Sequence, residues 1–180
     1  MIEYTFIRSK RKTISITVKP DGSVVVKAPL TCSKKRAEAF VSEKQDWIEK
    51  AQKKVANRQS APKFSDAEVK SLKKQAKAEL PSMVEELSKL IGVTYGTVSI
   101  RAQKSRWGSC SSKGNLNFNC LLMLLPENLR RYVVVHELCH RIEMNHSAAF
   151  WQEVGKYQPT FKEDRKQLHQ LGSDLLARLS

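Results

Sequence analysis

The chain has 180 residues, of which 41% are hydrophobic and 28% are charged, and its net charge is +14. This length suits one domain, or one domain with a small appendage, and the composition is typical of a soluble globular protein. No apolar run approaches the roughly 20 residues of a transmembrane helix, and the N-terminus shows no secretory signal pattern. A membrane partner is therefore not expected, and the cytoplasm is the expected location. The four cysteines are scattered and are expected to be reduced thiols.

The beginning of the chain predicts a small antiparallel sheet. An early strand is expected at about residues 3–8, and residues 14–18 alternate apolar and polar side chains. The turn signal Pro20-Asp21-Gly22 follows, and the valines at 24–26 resume a run rich in strand-forming residues. These features indicate two or three short strands joined by tight turns.

A helix and a linker are predicted after this sheet. Residues 31–33 offer N-caps for a helix that runs to about residue 55 with helical spacing of its apolar positions. Residues 57–64 are rich in polar residues and contain a proline, which is typical of a linker. We therefore expect an N-terminal appendage at residues 1–57 and a catalytic domain at residues 65–180.

The predicted catalytic domain begins with a long helix. Ser65 is its expected N-cap and Gly92 its expected C-cap, and Pro81 lies between them, so the helix either bends there or is two helices. Two strands are predicted next, at residues 98–102 and 116–119. Three helices follow them, one from Pro126 onward, one at residues 148–156 and one at residues 162–179.

Residues 133–140 read V-V-V-H-E-L-C-H, which is an H-E-x-x-H motif inside an apolar helix. Four residues are about one helical turn, so His136 and His140 project from the same face and can bind one metal ion, usually Zn²⁺. Glu137 follows the first histidine directly. From this position a carboxylate can act as general base on a metal-activated water without binding the metal.

A hydrolytic zinc site needs a third protein ligand and one open position. His146 is the leading candidate, because three of the four histidines lie within eleven residues. Its spacing from His140 matches metzincins, but those enzymes have a glycine where this chain has Glu143, which weakens a metzincin assignment. Glu143 and Glu153 are the alternative third ligands.

Residues 104–111 combine basic, aromatic, hydroxyl and thiol side chains with a glycine. We interpret them as an edge strand with a bulge at Gly108 that lines a substrate. An oxyanion that develops during hydrolysis needs a hydrogen-bond donor, and the sequence does not choose among the candidates. The predicted substrate-lining residues, which include these candidates, are Arg106, Trp107, Tyr132 and Tyr157.

Several of these motifs together resemble the YgjP-like metallopeptidase-domain family of bacteria, which is related to the SprT-like and WLM zincins. The resemblance is carried by residues 105–110, 117–119, Pro126, 132–140, 145–147 and 150–151. It implies a compact zincin fold, with His136, His140 and His146 as metal ligands and Glu137 as catalytic acid and base. Members of this family are described as metal-dependent hydrolases or peptidases, and some as nucleotide (UTP) pyrophosphatases.

The predicted architecture is α+β, with a zincin-like catalytic domain made of a long helix, an antiparallel or mixed sheet and the H-E-x-x-H helix. The predicted function is a zinc-dependent hydrolase, specifically a metallopeptidase that acts on a peptide or protein. The first alternative is a metal-dependent nucleoside triphosphate (UTP) pyrophosphatase. The second is a nucleic-acid or ribosome binding module whose metal is structural.

The positive charge is unevenly distributed. Residues 1–110 carry a net charge of +12, whereas residues 111–180 carry +2. This excess indicates a nucleic acid or another polyanion as a partner of residues 1–110, with a solvated basic surface as the alternative interpretation.

Overall fold

The structure is a computed structural model that describes residues 2–179, apart from the side chains of residues 58 and 59. The chain divides into two compact units, residues 1–61 and residues 62–180, and the division falls inside the predicted linker. Within the described range, helices and strands occur together in a mixed arrangement, so the predicted α+β class is confirmed. None of the helices in that range is both long and apolar enough to cross a membrane.

The first unit contains a three-stranded sheet of strands β1 (Thr5–Ser9), β2 (Ser15–Val18) and β3 (Val24–Pro29). The strand order is β1-β3-β2, with β1 parallel and β2 antiparallel to β3. The prediction of a purely antiparallel sheet is therefore wrong. The valines of β3 are buried, and a strand of this kind takes the central position, where it is paired along both edges. Gly22, at φ 83°, forms the turn between β2 and β3.

Two helices follow, α1 (Lys34–Glu43) and α2 (Gln45–Ser60). The prediction of one continuous helix is wrong at Lys44, where φ −101° and ψ 14° end α1. Val41 and Ile48 are both buried in the core of this unit. Since they lie seven residues apart, their spacing stays helical across the break, and periodicity alone does not reveal it.

The linker prediction is wrong for residues 57–60, which form the last turn of α2. Their polar composition is typical of a loop, but no proline or glycine occurs among them to end the helix. The Ser60 hydroxyl instead donates a hydrogen bond to the Asn57 carbonyl.

The second unit begins with α3 (Asp66–Ile91), and its predicted caps are confirmed. The Ser65 hydroxyl accepts from the Glu68 backbone N–H while the Glu68 carboxylate accepts from the Ser65 N–H, which forms a capping box. Gly92 ends the helix at φ 77°, a left-handed conformation that favours glycine. Pro81 lies inside α3 without dividing it into two helices.

A second sheet follows α3, with strands β4 (Val98–Arg101), β5 (Gly108–Cys110) and β6 (Leu116–Asn119) in the order β4-β6-β5. Strand β6 is central, parallel to β4 and antiparallel to β5. Strand β5 is therefore an edge strand of this sheet, as predicted, but the strand prediction is wrong for residues 104–107, which form the loop before Gly108. The loop before β5 is held by Asn119, whose side-chain amide donates to the carbonyls of Gln103 and Arg106.

A 3-10 helix at Cys120–Leu124 leads into α4 (Glu127–Cys139), which carries the H-E-x-x-H motif. Pro126 is the N-cap of α4, so its prediction as the first helical residue is wrong by one position. Helices α5 (Ala148–Tyr157) and α6 (Phe161–Ala177) complete the unit, close to their predicted bounds. Helix α4 contacts α3, α5, α6 and β5, so neighbouring elements fix its position.

The burial of α3 predicts a stability difference between two leucines of the same helix. Leu87 has no exposed surface, whereas Leu90 is 55% exposed. Leu87→Ala leaves a core cavity and is expected to lower the free energy of unfolding by roughly 2–5 kcal/mol. Leu90→Ala, the matched control, is expected to change it by less than about 0.5 kcal/mol. Urea unfolding with a chelator present measures both, and equal effects would contradict the described orientation of α3.

Candidate metal centre

Three histidines converge at the end of α4. His136 lies within the helix, His140 is its C-cap residue, and His146 returns from the loop that leads to α5. The Nε2 atoms of His136 and His146 are 3.0 Å apart, and one potential ligand atom from each ring lies within 4.8 Å of the others. In tetrahedral coordination with Zn–N bonds of 2.0–2.1 Å, ligand nitrogens are roughly 3.4 Å apart. The three imidazoles therefore fit one zinc-sized cation.

Hydrogen bonds in the loop explain how His146 reaches the other two histidines. The backbone N–H groups of Ile142 and Glu143 both donate to the Cys139 carbonyl and turn the chain at the end of α4. Asn145 then accepts from the Ser147 backbone N–H, and Ser147 caps α5. The loop makes this turn without a glycine, so the metzincin glycine is not required for the observed geometry.

The Glu143 carbonyl also orients a ring of the cluster. It lies 3.1 Å from His140 Nδ1, which as an N–H donates to it. That tautomer leaves the lone pair of His140 Nε2 free for a metal ion, and such a carbonyl contact is a common support of metal-binding histidines.

Burial keeps the histidines in the form that a metal ion requires. It lowers the pKa of His136 to about 3, with further lowering from His140 and His146, and it also lowers the pKa of His140. Both rings are therefore neutral at pH 7, with lone pairs available. His136 Nδ1 is buried and has no hydrogen-bond partner among the described atoms.

Aromatic residues of α5 pack against the histidines. The Phe150 ring centroid lies 4.9 Å from His136, 4.6 Å from His140 and 4.9 Å from His146. Trp151 lies 5.7 Å from His136 and 5.8 Å from His146. These two aromatic side chains hold the imidazoles in place on the side of α5.

Glu137 occupies a different environment from the histidines. Its side chain is buried and lies against Gly108 of β5, and the backbone N–H of Cys110 in the same strand favours a lower pKa of the carboxyl group. A Cβ atom at Gly108 would lie 2.6 Å from Glu137 Oε1 and 2.7 Å from its Cγ, so only glycine leaves room here. Burial raises the pKa of Glu137 to about 8, and the Arg106 guanidinium partly opposes this rise. The contact at Gly108 was not foreseen, because the sequence does not show which strand faces Glu137.

The acidic candidates for a third ligand lie apart from the cluster. In the described part of the chain, the group that could hold a metal ion consists of the three histidines. Glu143 accepts weakly from the Asn145 backbone N–H, and Glu153 pairs with Lys156 at 2.6 Å. This geometry favours His146 as the third ligand over either glutamate.

The other predicted site residues lie at different distances from the histidines. Arg106 is exposed and close enough to Glu137 to influence its pKa, and Trp107 comes directly before Gly108. Tyr132 is buried with its ring edge-on to His136, at 6.0 Å between centroids, and burial raises its pKa to about 12. The Tyr157 hydroxyl donates instead to the Ile91 carbonyl at the end of α3.

A helix that carries two histidines and a buried glutamate, with a third histidine beside them, is the arrangement of a metal-dependent hydrolase. The sequence matches the model of the YgjP-like metallopeptidase domain over residues 12–72 and 66–171. The chain therefore belongs to the YgjP-like metallopeptidase-domain family, and the resemblance found in the sequence is confirmed. This membership supports a metal-dependent peptidase.

Two crystal structures of metallopeptidase zymogens are similar to part of the chain. Abylysin of Pyrococcus abyssi is 26% identical with a TM-score of 0.46, and the match covers 51% of this chain and 94% of abylysin. Jannalysin of Methanocaldococcus jannaschii is 23% identical with a TM-score of 0.47, and the match covers 51% of this chain and 95% of jannalysin. A comparison with curated proteins finds no match.

The close approach of Gly108 and Glu137 predicts an energetic coupling between them. Gly108→Ala is expected to lower the free energy of unfolding by roughly 1–3 kcal/mol, because the added methyl group overpacks the carboxylate. In a Glu137→Ala background the obstructing atoms are gone, so the same change is expected to be neutral or to stabilise by up to about 1 kcal/mol. A double-mutant cycle by urea unfolding measures this coupling. Equal destabilisation in both backgrounds would contradict the described contact.

Proposed function

We propose that the chain is a zinc-dependent peptidase in which His136, His140 and His146 hold the metal and Glu137 is the general base. The observation that carries this proposal is the convergence of three imidazoles, of which burial keeps His136 and His140 neutral, beside the buried carboxylate of Glu137. Membership in a metallopeptidase-domain family supports the reaction class.

The donor set favours zinc. Three imidazole nitrogens suit Zn²⁺, whereas Mg²⁺ prefers oxygen ligands such as carboxylates and phosphates. When bound, zinc supplies a Lewis acid that polarises a peptide carbonyl and lowers the pKa of a water molecule. Three protein ligands also suit a catalytic site with an open position, because structural zinc sites are usually closed by four.

Glu137 is suited to both proton transfers of peptide hydrolysis. Its carboxylate accepts a proton from the attacking water and then delivers it to the amide nitrogen of the departing amine. Burial of the side chain and its close contact with Gly108 restrict the orientation of the carboxylate. The carboxylate is expected to be ionised at neutral pH when a cation occupies the histidines, because nearby positive charge lowers its pKa.

Strand β5 is suited to hold the substrate. It lies at the edge of its sheet, so it can form backbone hydrogen bonds with an extended peptide. Because Gly108 begins β5 and adjoins Glu137, a peptide paired with β5 would pass close to the base. Arg106 and Trp107 would then lie beside the substrate, whereas Tyr132 is buried in the core and Tyr157 has its described contact at α3.

The alternative functions have weaker support. A nucleoside triphosphate pyrophosphatase would be expected to favour oxygen ligands and Mg²⁺ rather than three histidines. A binding module with a structural metal would not need the buried Glu137. Membership in a metallopeptidase-domain family favours a peptide or protein substrate over a nucleotide or nucleic-acid partner.

Substitution of the loop histidine tests the metal site. The purified chain is expected to bind one Zn²⁺, and His146→Ala is expected to weaken binding roughly 100-fold or more, since even supporting residues of metal ligands contribute 10–100-fold. His169→Ala, at the fourth histidine of the chain on α6, is the matched control and should bind normally. Elemental analysis and competition with a zinc chelator measure both. Unchanged zinc affinity in His146→Ala would show that His146 is not a metal ligand.

Substitution of the proposed base tests the reaction. Glu137→Gln keeps the size of the side chain and removes its ability to accept a proton. Zinc content is expected to be unchanged, and hydrolysis of a quenched fluorogenic peptide library should fall by about 10²–10⁴-fold. Loss of zinc in this variant would indicate that Glu137 is a metal ligand or a structural support of the metal site. Hydrolysis at the wild-type rate would place the base elsewhere, with Glu143 next to be examined.

A further inference from the structure

A concave feature outside the candidate metal centre lies in residues 62–180. It is a cavity of about 640 Å³ between α6 and the loop before β5. This volume lies within the range of ordinary ligand pockets, which is about 300–1,000 Å³. Its main polar and aromatic lining residues are Ser105, Trp107, Lys162, Arg165, Lys166 and His169.

The charge of this cavity is of one sign. Lys162, Arg165 and Lys166 line it, and no acidic residue is among the described residues of its wall. No ion pair joins any of these three cations to a carboxylate in the part of the chain that the structure describes. Asp164, on the same helix, is buried, accepts hydrogen bonds from three neighbouring side chains and does not line the cavity.

The spacing of these cations places them on one face of α6. Lys162 is three residues from Arg165 and four from Lys166, and residues at these separations are neighbours on a helix surface. Like charges arranged in this way repel each other and destabilise the helix slightly. An anionic group bound in the cavity would remove that repulsion.

Two contacts connect the cavity with the candidate metal centre. Trp107 forms part of its wall and comes directly before Gly108, which adjoins Glu137. The indole of Trp107 packs on α6 where Gly172 leaves room, since a Cβ there would lie 2.6 Å from Trp107 Cζ2.

The second contact is made by Arg165, which lines the cavity. Its guanidinium lies 4.8 Å from the ring centroid of Trp151, and Trp151 stacks on His146. The Trp151 ring therefore lies between Arg165, which lines the cavity, and His146 of the histidine cluster.

We propose that this cavity binds an acidic side chain, Asp or Glu, of the peptide that the metal centre cleaves. This inference rests on the proposed function and adds a substrate class to it. Lys162, Arg165 and Lys166 attract the carboxylate, and Trp107 separates its pocket from the bond that is hydrolysed. A peptide suits the cavity better than a single-stranded nucleic acid, which usually requires a charged groove several nucleotides long.

Binding to a non-cleaving protein tests the pocket directly. The zinc-loaded Glu137→Gln variant is titrated into fluorescein-labelled octapeptides that differ only by Glu or Gln, with the variable residue moved along the peptide. Fluorescence polarisation is expected to show about tenfold tighter binding of Glu at one or two positions, equivalent to 1.4 kcal/mol. This preference should weaken as salt is added.

Charge removal tests which residues are responsible. Lys162→Gln and Lys166→Gln are added to the Glu137→Gln protein. They are expected to reduce its preference for Glu over Gln peptides to less than about twofold, because both lysines are exposed and their loss removes mainly charge. The matched control is Lys70→Gln with Lys74→Gln, an exposed pair at the same spacing on α3, which should keep the preference. An undiminished preference in the first variant, or an equal loss in the control, would overturn the proposal.

Two further measurements separate the possible failures. If the wild-type protein cleaves none of the peptides, the proposed peptidase function is wrong. If it cleaves them without preferring acidic residues, and the binding assay agrees, only the pocket assignment is wrong. A single-stranded oligonucleotide that binds through Lys162 and Lys166, when acidic peptides do not, would also overturn the proposal.

Discussion

Burial of α4 constrains every other part of the candidate site. The helix is enclosed by α3, α5, α6 and β5, and its apolar residues from Leu129 to Cys139 are almost entirely buried. A helix packed on so many sides cannot rotate without exposing apolar surface, at about 25 cal/mol for each Å². Packing of the core therefore sets the directions of the His136, Glu137 and His140 side chains. The positions of the two imidazoles and of the carboxylate result from that packing.

Successive residues of a helix differ by about 100° in direction, and the site uses this offset. His136 points toward the aromatic side chains of α5, whereas Glu137 points toward the backbone of β5. The carboxylate is costly to bury, which its raised pKa reflects, but a backbone N–H and the nearby Arg106 partly compensate. One helix can thus present the proposed metal ligands on one side and the proposed proton acceptor on the other.

Much of the C-terminal unit was predictable because its signals are local. Caps such as Ser65 and Gly92, and the four-residue spacing of His136 and His140, depend only on nearby residues. The sequence does not reveal the helix break at Lys44, because the apolar spacing continues across it. It also does not reveal the parallel pairing of β1 with β3, because that pairing depends on residues distant in sequence. The same limit applies to the site.

Contacts between residues distant in sequence account for what the sequence could not show at the site. In the sequence, Gly108 is interpreted as a bulge residue. In the structure, its missing Cβ leaves the space that the side chain of Glu137 occupies. Gly172 lies inside a helix, where glycine is unfavourable, and the structure explains it by the indole of Trp107. In the sequence, the basic face of α6 resembles an ordinary solvated surface, and only the fold shows that Arg165 packs on Trp151, which stacks on His146.

The central claim is that three histidines hold one zinc ion and leave a position open. X-ray absorption spectroscopy of the zinc-loaded protein measures the ligands of the metal most directly. The account predicts three imidazole nitrogens at 2.0–2.1 Å and one further light atom at a similar distance. A sulfur shell near 2.3 Å, or four imidazole ligands, would contradict it.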